Sequence, residues 1–131
     1  MEKPMAVQLN HTIVWSRNQK KSAQFFTEIL GLAEASAYGP FLVVEMSNAV
    51  SLDFYETDND ITSQHYAFLV TESEFDEIFS RIRQRGLTYW ADPGQTQGGK
   101  INHRDGGKGV YFEDPDGHLL ELMTRPYGRK Q

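Results

Sequence analysis

Two histidines and two carboxylates are the residues of this chain whose types and spacing could do chemistry. His11 and His65 each open a β-prone run, and Asp53 and Glu121 each interrupt an apolar run late in the half-chain that its histidine begins. Glu121 stands in Leu119-Leu120-Glu121-Leu122-Met123, and Asp53 in Val50-Ser51-Leu52-Asp53-Phe54-Tyr55. A buried, unpaired carboxylate is costly, so an acid in such a run calls for a cation, an arginine or water on its side of the sheet. A divalent metal meets that need. Imidazole and carboxylate donors in a chain with no cysteine suit Fe(II), Mn(II), Ni(II), Co(II) or Zn(II), and do not select among them. Either histidine alone would be an ordinary strand residue. The repetition of histidine and acid in matched places singles them out.

The elements that must position these residues repeat as well. Residues 7 to 15 alternate as a half-buried strand, with Leu9, His11, Ile13 and Trp15 on one face. From Ser22 the apolar positions Ala23, Phe25, Phe26, Ile29 and Leu30 take helical spacing, and Gly31 is placed to stop the helix. Phe41 to Glu45 and Val50 to Tyr55 form a hairpin across Ser47-Asn48, with a further strand near Glu34 to Tyr38. After a polar stretch the order recurs. His65 to Val70 is a strand, Thr71 and Glu74 make a capping box, and Phe75, Ile78, Phe79 and Ile82 are the stripe of a helix ended by Gly86. Leu87 to Ala91 is a strand, and residues 93 to 109, with six glycines, read as a long mobile loop. Gly109 to Glu113 and His118 to Thr124 flank Asp114-Pro115-Asp116-Gly117, a turn whose glycine takes a positive φ. Laying His11 on His65 brings Leu52-Asp53 opposite Leu120-Glu121 once about fourteen residues of extra loop are allowed in the second half.

Composition narrows the function. A chain of 131 residues is one domain's worth. Thirteen Lys and Arg against eighteen Asp and Glu leave a net charge of -5, which repels a phosphate backbone and gives no reason to expect nucleic acid or an anionic membrane as partner. The lack of cysteine removes disulfides and thiolate nucleophiles and fits a reducing cytoplasm. No apolar run is long enough to span a bilayer, and the first residues have no signal-peptide core. Gly98-Gly99-Lys100 lacks the spacing of a phosphate-binding loop. His103 and Arg104 read as solvated loop residues that could close over an anionic substrate, and His118 as a turn residue bonded locally.

Several of these stretches together resemble a known family. They are Leu9-Asn10-His11, Phe25-Phe26 with Ile29-Leu30-Gly31-Leu32, Gln64-His65-Tyr66-Ala67-Phe68, and Tyr111-Phe112-Glu113-Asp114-Pro115-Asp116-Gly117-His118-Leu119-Leu120-Glu121. In this order they resemble the glyoxalase/fosfomycin-resistance/dioxygenase family, the vicinal oxygen chelate superfamily, over residues 8 to 125. The resemblance implies an α+β domain of two βαβββ modules, about 7–57 and about 63–125, forming a cupped mixed sheet, often as a homodimer that completes the site. It implies a divalent metal on His11, His65 and Glu121, with Asp53 as the nearest match to a fourth ligand or a base. It also implies that Tyr111 faces the cavity, within reach of a bound oxyanion. The metal would chelate an oxygenated small molecule. A glyoxalase I-like lyase or isomerase, with Glu121 or Asp53 as base, is the expected subtype; an extradiol-type Fe(II) dioxygenase and a metal-free bleomycin-resistance-type binder are the alternatives. Ile13 stands where fosfomycin thiol transferases carry threonine, which argues against that activity.

Overall fold

Period-two and period-3.6 apolar patterns each become the element they call for. The computed structural model describes residues 6–127. The elements are β1 (His11–Ser16), α1 (Gln19–Leu30), β2 (Ser36–Tyr38), β3 (Phe41–Glu45), β4 (Ser51–Glu56), β5 (His65–Leu69), α2 (Glu72–Gln84), β6 (Tyr89–Trp90), a 3-10 turn at Arg104–Gly106, β7 (Gly109–Glu113) and β8 (Leu119–Met123). They make two βαβββ modules in an α+β arrangement. The sheet is divided in two: one has the order β1-β4-β3-β2 and the other β5-β8-β7-β6. Each is mixed, because the first strand of a module lies parallel to its last and the other pairings are antiparallel.

Each sheet turns one face to a shared core. Val14, Val44, Leu52 and Phe54 from the first sheet and Val110, Phe112, Leu120 and Leu122 from the second join Ala23, Phe26, Ile29, Phe75, Ile78 and Ile82 of the helices. Burial of each large side chain contributes about 1.5–3 kcal/mol. Phe26 against Phe68 at 6.4 Å and Phe25 against Phe112 at 6.5 Å carry the packing across the module boundary. By the alternation of strands, His11, Asp53, His65 and Glu121 fall on the faces opposite this core.

Local chemistry sets the element ends. α1 starts at Gln19, earlier than the apolar spacing alone predicts, because the Asn18 side chain caps it by accepting from the Lys21 N–H. Gly31 stops it at a φ of 72°, which a side chain would strain. The Thr71 and Glu74 capping box of α2 forms as expected. The strand expected over Leu87 to Ala91 shortens to Tyr89–Trp90. The stretch expected to be a mobile loop is instead hydrogen-bonded. Asp92 accepts from the Thr96 and Gln97 N–H groups, and Asn102 and Gly109 exchange two backbone bonds of 2.9 Å. Composition hid this order, because the ties are specific side-chain and backbone partners without an apolar period.

His118 bonds locally through its backbone, as expected, donating its N–H to Asp114 Oδ1 at 2.8 Å, but its side chain adds what the sequence did not show. That side chain is fully buried and bonds far from its own turn. Its Nδ1 accepts the Gln64 N–H at 3.0 Å, which leaves the proton on Nε2 to be donated to the Trp15 carbonyl at 2.8 Å. The same turn docks on module one through Asp116, which accepts the Arg17 N–H and the Ser22 hydroxyl. No helix among the described residues is long and apolar enough to cross a membrane.

Candidate metal centre

Strand register fixes which side chains share the two faces. In module one His11 pairs with Ser51, Ile13 with Asp53 and Trp15 with Tyr55. In module two His65 pairs with Leu119, and Ala67 with Glu121, which pairs in turn with Tyr111. Histidine and acid therefore occupy equivalent places in the two modules, as the internal repeat predicts.

The second pair is already assembled. His65 Nδ1 lies 2.9 Å from the Leu119 carbonyl, which can only accept, so Nδ1 carries the ring proton. Nε2 then points toward Glu121 Oε1, 3.1 Å away, and with only its lone pair it would meet that oxygen as a second acceptor. Two acceptors at that distance require a positive centre between them, a proton or a metal ion. Two ligands each about 2.1 Å from one ion, at right angles to each other, would stand about 3.0 Å apart. The donor set fits a divalent metal in chemistry and in separation.

Around this pair runs a chain of polar groups. Glu121 is only 1% exposed, and the Tyr127 hydroxyl lies 2.7 Å from its Oε1 and 2.6 Å from its Oε2. Tyr111, equally buried, has its hydroxyl 3.3 Å from that of Tyr127 and receives an Arg104 Nη1 hydrogen bond of 2.9 Å. Tyr127 is 46% exposed, yet desolvation of its hydroxyl, and then the hydrogen bond to Glu121, push the phenol above the usual tyrosine range. Its proton stays on oxygen and serves Glu121. Gly109 makes room for the loop that delivers Arg104: a Cβ there would lie 2.7 Å from Asn102 Oδ1, the acceptor of the Arg104 N–H.

His11 and Asp53 occupy a different face. Exposed His11 has Nδ1 2.8 Å from Asn10 Oδ1, an acceptor for a proton on Nδ1, which leaves Nε2 with its lone pair. Asp53 is half-buried and accepts the Ser51 hydroxyl at 2.9 Å. Both border an open cavity of ≈ 530 Å³ together with Ile13, Tyr38, Phe41 and Val43. Among the described residues, no three His, Cys, Asp or Glu side chains of one chain come together as a metal site. The structure thus unites His65 with Glu121 and sets Tyr111 beside them, and it does not bring His11 or Asp53 to that pair within a single chain.

The model of the Glyoxalase/Bleomycin resistance protein/Dioxygenase superfamily matches residues 8–122. The chain belongs to this superfamily. Among its relatives in the superfamily, Glutathione transferase FosA of Serratia marcescens is 32% identical, with 90% of this chain and 81% of that protein covered. Metallothiol transferase FosB of Shouchella clausii is 31% identical, with 88% and 79% covered. Among solved structures, Oxidase ChaP-H1 superposes with a TM-score of 0.93 at 59% identity, covering 95% of this chain and all of that one (100%). The superfamily relatives named here are enzymes, transferases and an oxidase by name.

Sequence reasoning missed two participants in this superfamily site. Tyr127 follows Arg125-Pro126 after the last strand, where no period places it, and no sequence signal ties it to Glu121. Arg104 was visible only as a loop cation; its partner Tyr111 became apparent once Asn102 and Gly109 had fixed the loop's path.

Proposed function

We propose that this chain is a divalent-metal enzyme that oxidises an oxygenated small molecule, its ion held by His65 and Glu121 of one copy and His11 of a second. The observation that carries this reading is the pair of facing acceptors, His65 Nε2 and Glu121 Oε1, which call for a cation between them. When bound, the ion would supply Lewis acidity and open positions for two neighbouring substrate oxygens. Two histidines and one carboxylate with open positions are the donor set that suits Fe(II). The likeness to Oxidase ChaP-H1 at 59% identity supports oxidation over the other chemistries of the superfamily.

The chain's own residues divide the remaining work. His11 offers Nε2 outward from an exposed strand end, as a donor to another molecule must. Asp53 is one residue pair along the same face, and would enter with His11 as a fourth ligand or as the base that takes a substrate proton. Trp15, Phe41 and Tyr55, with ring centroids 5.1 and 5.0 Å apart, extend that face as an apolar wall that would exclude water. Tyr111 would meet a substrate oxyanion only by giving up its contact with Tyr127. Asp53 also favours a second reading, the lyase or isomerase expected from the sequence, because that chemistry needs a carboxylate base beside the ion. A proton on His65 would satisfy Glu121 without a metal, so uptake of an ion is what separates the enzyme from a metal-free binder.

The test is metal analysis by calorimetry with Fe(II) under anaerobic conditions and with Mn(II). His11→Ala and Glu121→Ala should each abolish binding, and mixing the two variants should restore about a quarter of the wild-type sites, one per mixed dimer of a two-fold assembly. No recovery on mixing would refute the shared site. Wild-type protein that takes up no divalent ion would refute the enzyme. Oxygen uptake by the Fe(II) form with vicinal diols then separates oxidase from lyase.

A further inference from the structure

The two oxygens of Glu121 are not equivalent. Oε1 faces the lone pair of His65 Nε2, while Oε2 has the Tyr127 hydroxyl 2.6 Å away. The Tyr127 hydroxyl also reaches Oε1, at 2.7 Å, but it has a single proton to give. An ion beside His65 takes up a lone pair of Oε1, and the phenol, the contact made by Oε2 at 2.6 Å, is then the group that engages the second oxygen. The other end of the chain fixes its direction. Arg104 can only donate, and it does so to the Tyr111 oxygen; Tyr111 therefore turns its own proton toward Tyr127, and Tyr127 turns its proton toward the carboxylate.

We propose that Tyr127 is a positioning residue for the metal ligand Glu121: it holds Oε2 so that Oε1 alone is presented beside His65, with Arg104 and Tyr111 orienting it from behind. A carboxylate so held binds through one oxygen and leaves the ion more open positions for substrate. The inference rests on the reading above that His65 and Glu121 are ion donors. It adds a ligand-orienting shell from the segment that follows the last strand. Groups that orient ligands in this way typically govern metal affinity by about 10–100-fold.

The experiment uses the full-length Tyr127→Phe variant, which keeps the ring and loses only the hydroxyl. Calorimetric titration with Mn(II) should show binding weakened by about 10–100-fold, with the far-ultraviolet circular dichroism of the metal-free protein unchanged. Arg104→Gln, acting through Tyr111, should weaken binding less. Loading with Co(II) supplies a readout that a merely structural role would not move. Release of Oε2 lets Glu121 bind through both oxygens, so the visible absorption should fall in intensity as the coordination number rises. Unchanged affinity with an unchanged Co(II) spectrum would overturn the proposal. So would tighter binding in Tyr127→Phe, because the hydroxyl would then compete with the ion. Absence of binding in the wild type would instead remove the metal reading beneath it, so the two failures are distinguishable.

Discussion

Module one leaves His11 exposed with Asn10 at its ring and sets Asp53 beside the Ser51 hydroxyl, whereas module two buries Glu121 beneath Tyr127, Tyr111 and Arg104. The strand order and the register of histidine against acid are the same in both. What differs is the connecting chain. β2 and β3 are joined by the short turn at Gly39-Pro40, while β6 and β7 are separated by the hydrogen-bonded segment that carries Arg104. A repeated scaffold thus yields one open face and one covered face through a longer connection between β6 and β7 and the segment after β8 that carries Tyr127. The open face can be shared with another molecule, and the covered face can hold an acid away from water.

Three experiments bear on that contrast. The largest effect is expected at the joint between the modules. His118→Ala strands the Gln64 N–H and the Trp15 carbonyl, each costing about 1–3 kcal/mol, so urea denaturation should show a loss of roughly 3 kcal/mol or more. A loss below about 1 kcal/mol would mean that the His118 bonds contribute little to joining the halves. Next comes the unequal weight of the two acids. Mn(II) at a hundred times its Kd should stabilise the wild type by about 2.7 kcal/mol; Glu121→Ala should lose all of this gain and Asp53→Ala little of it. Equal losses would make the two faces equivalent. The smallest effect concerns the turn that docks module two on module one. Burial pushes the Asp114 carboxyl above the usual range, and its Oδ2 is buried without a hydrogen-bond partner. The folded chain therefore holds that proton more tightly than the unfolded chain. Stability from this group is greatest below the ordinary carboxylate range and falls as pH rises through the raised value. Asp114→Asn retains an Oδ1 acceptor for the Asp116 and His118 N–H groups and cannot ionise. Its stability relative to wild type should climb across that window and then level off, as thermal melts at a series of pH values would show; a flat difference would refute the assignment.

The parts of the fold that follow from period were legible in the sequence. Phe75, Ile78 and Ile82 fell on the buried side of α2, and Leu52 and Leu120 faced the core while Asp53 and Glu121 did not. The internal repeat placed one histidine and one acid at matched positions of each half, while the contact of His65 with Glu121 rests on the register of β5 against β8 in the folded chain. Contacts between residues remote in the chain with no periodic signature were illegible. His118 looks like a turn residue until Trp15 is folded against it, and Tyr127 has no meaning until the segment after β8 passes over Glu121. Division into two sheets was hidden for a related reason: strand patterns state which face is buried and are silent about which edges meet.

The parallel pairing of β1 with β4 and of β5 with β8 has a consequence for how the chain matures. Imidazole and carboxylate come from the opposite ends of each module, so in module two they meet only once β8 has paired with β5 in register. A slip of one residue in β8 would turn Glu121 into the hydrocarbon interior and Leu120 toward His65. Capture of an ion there would thus act as a proofreading step, rewarding the correctly threaded chain and passing over its misaligned competitors.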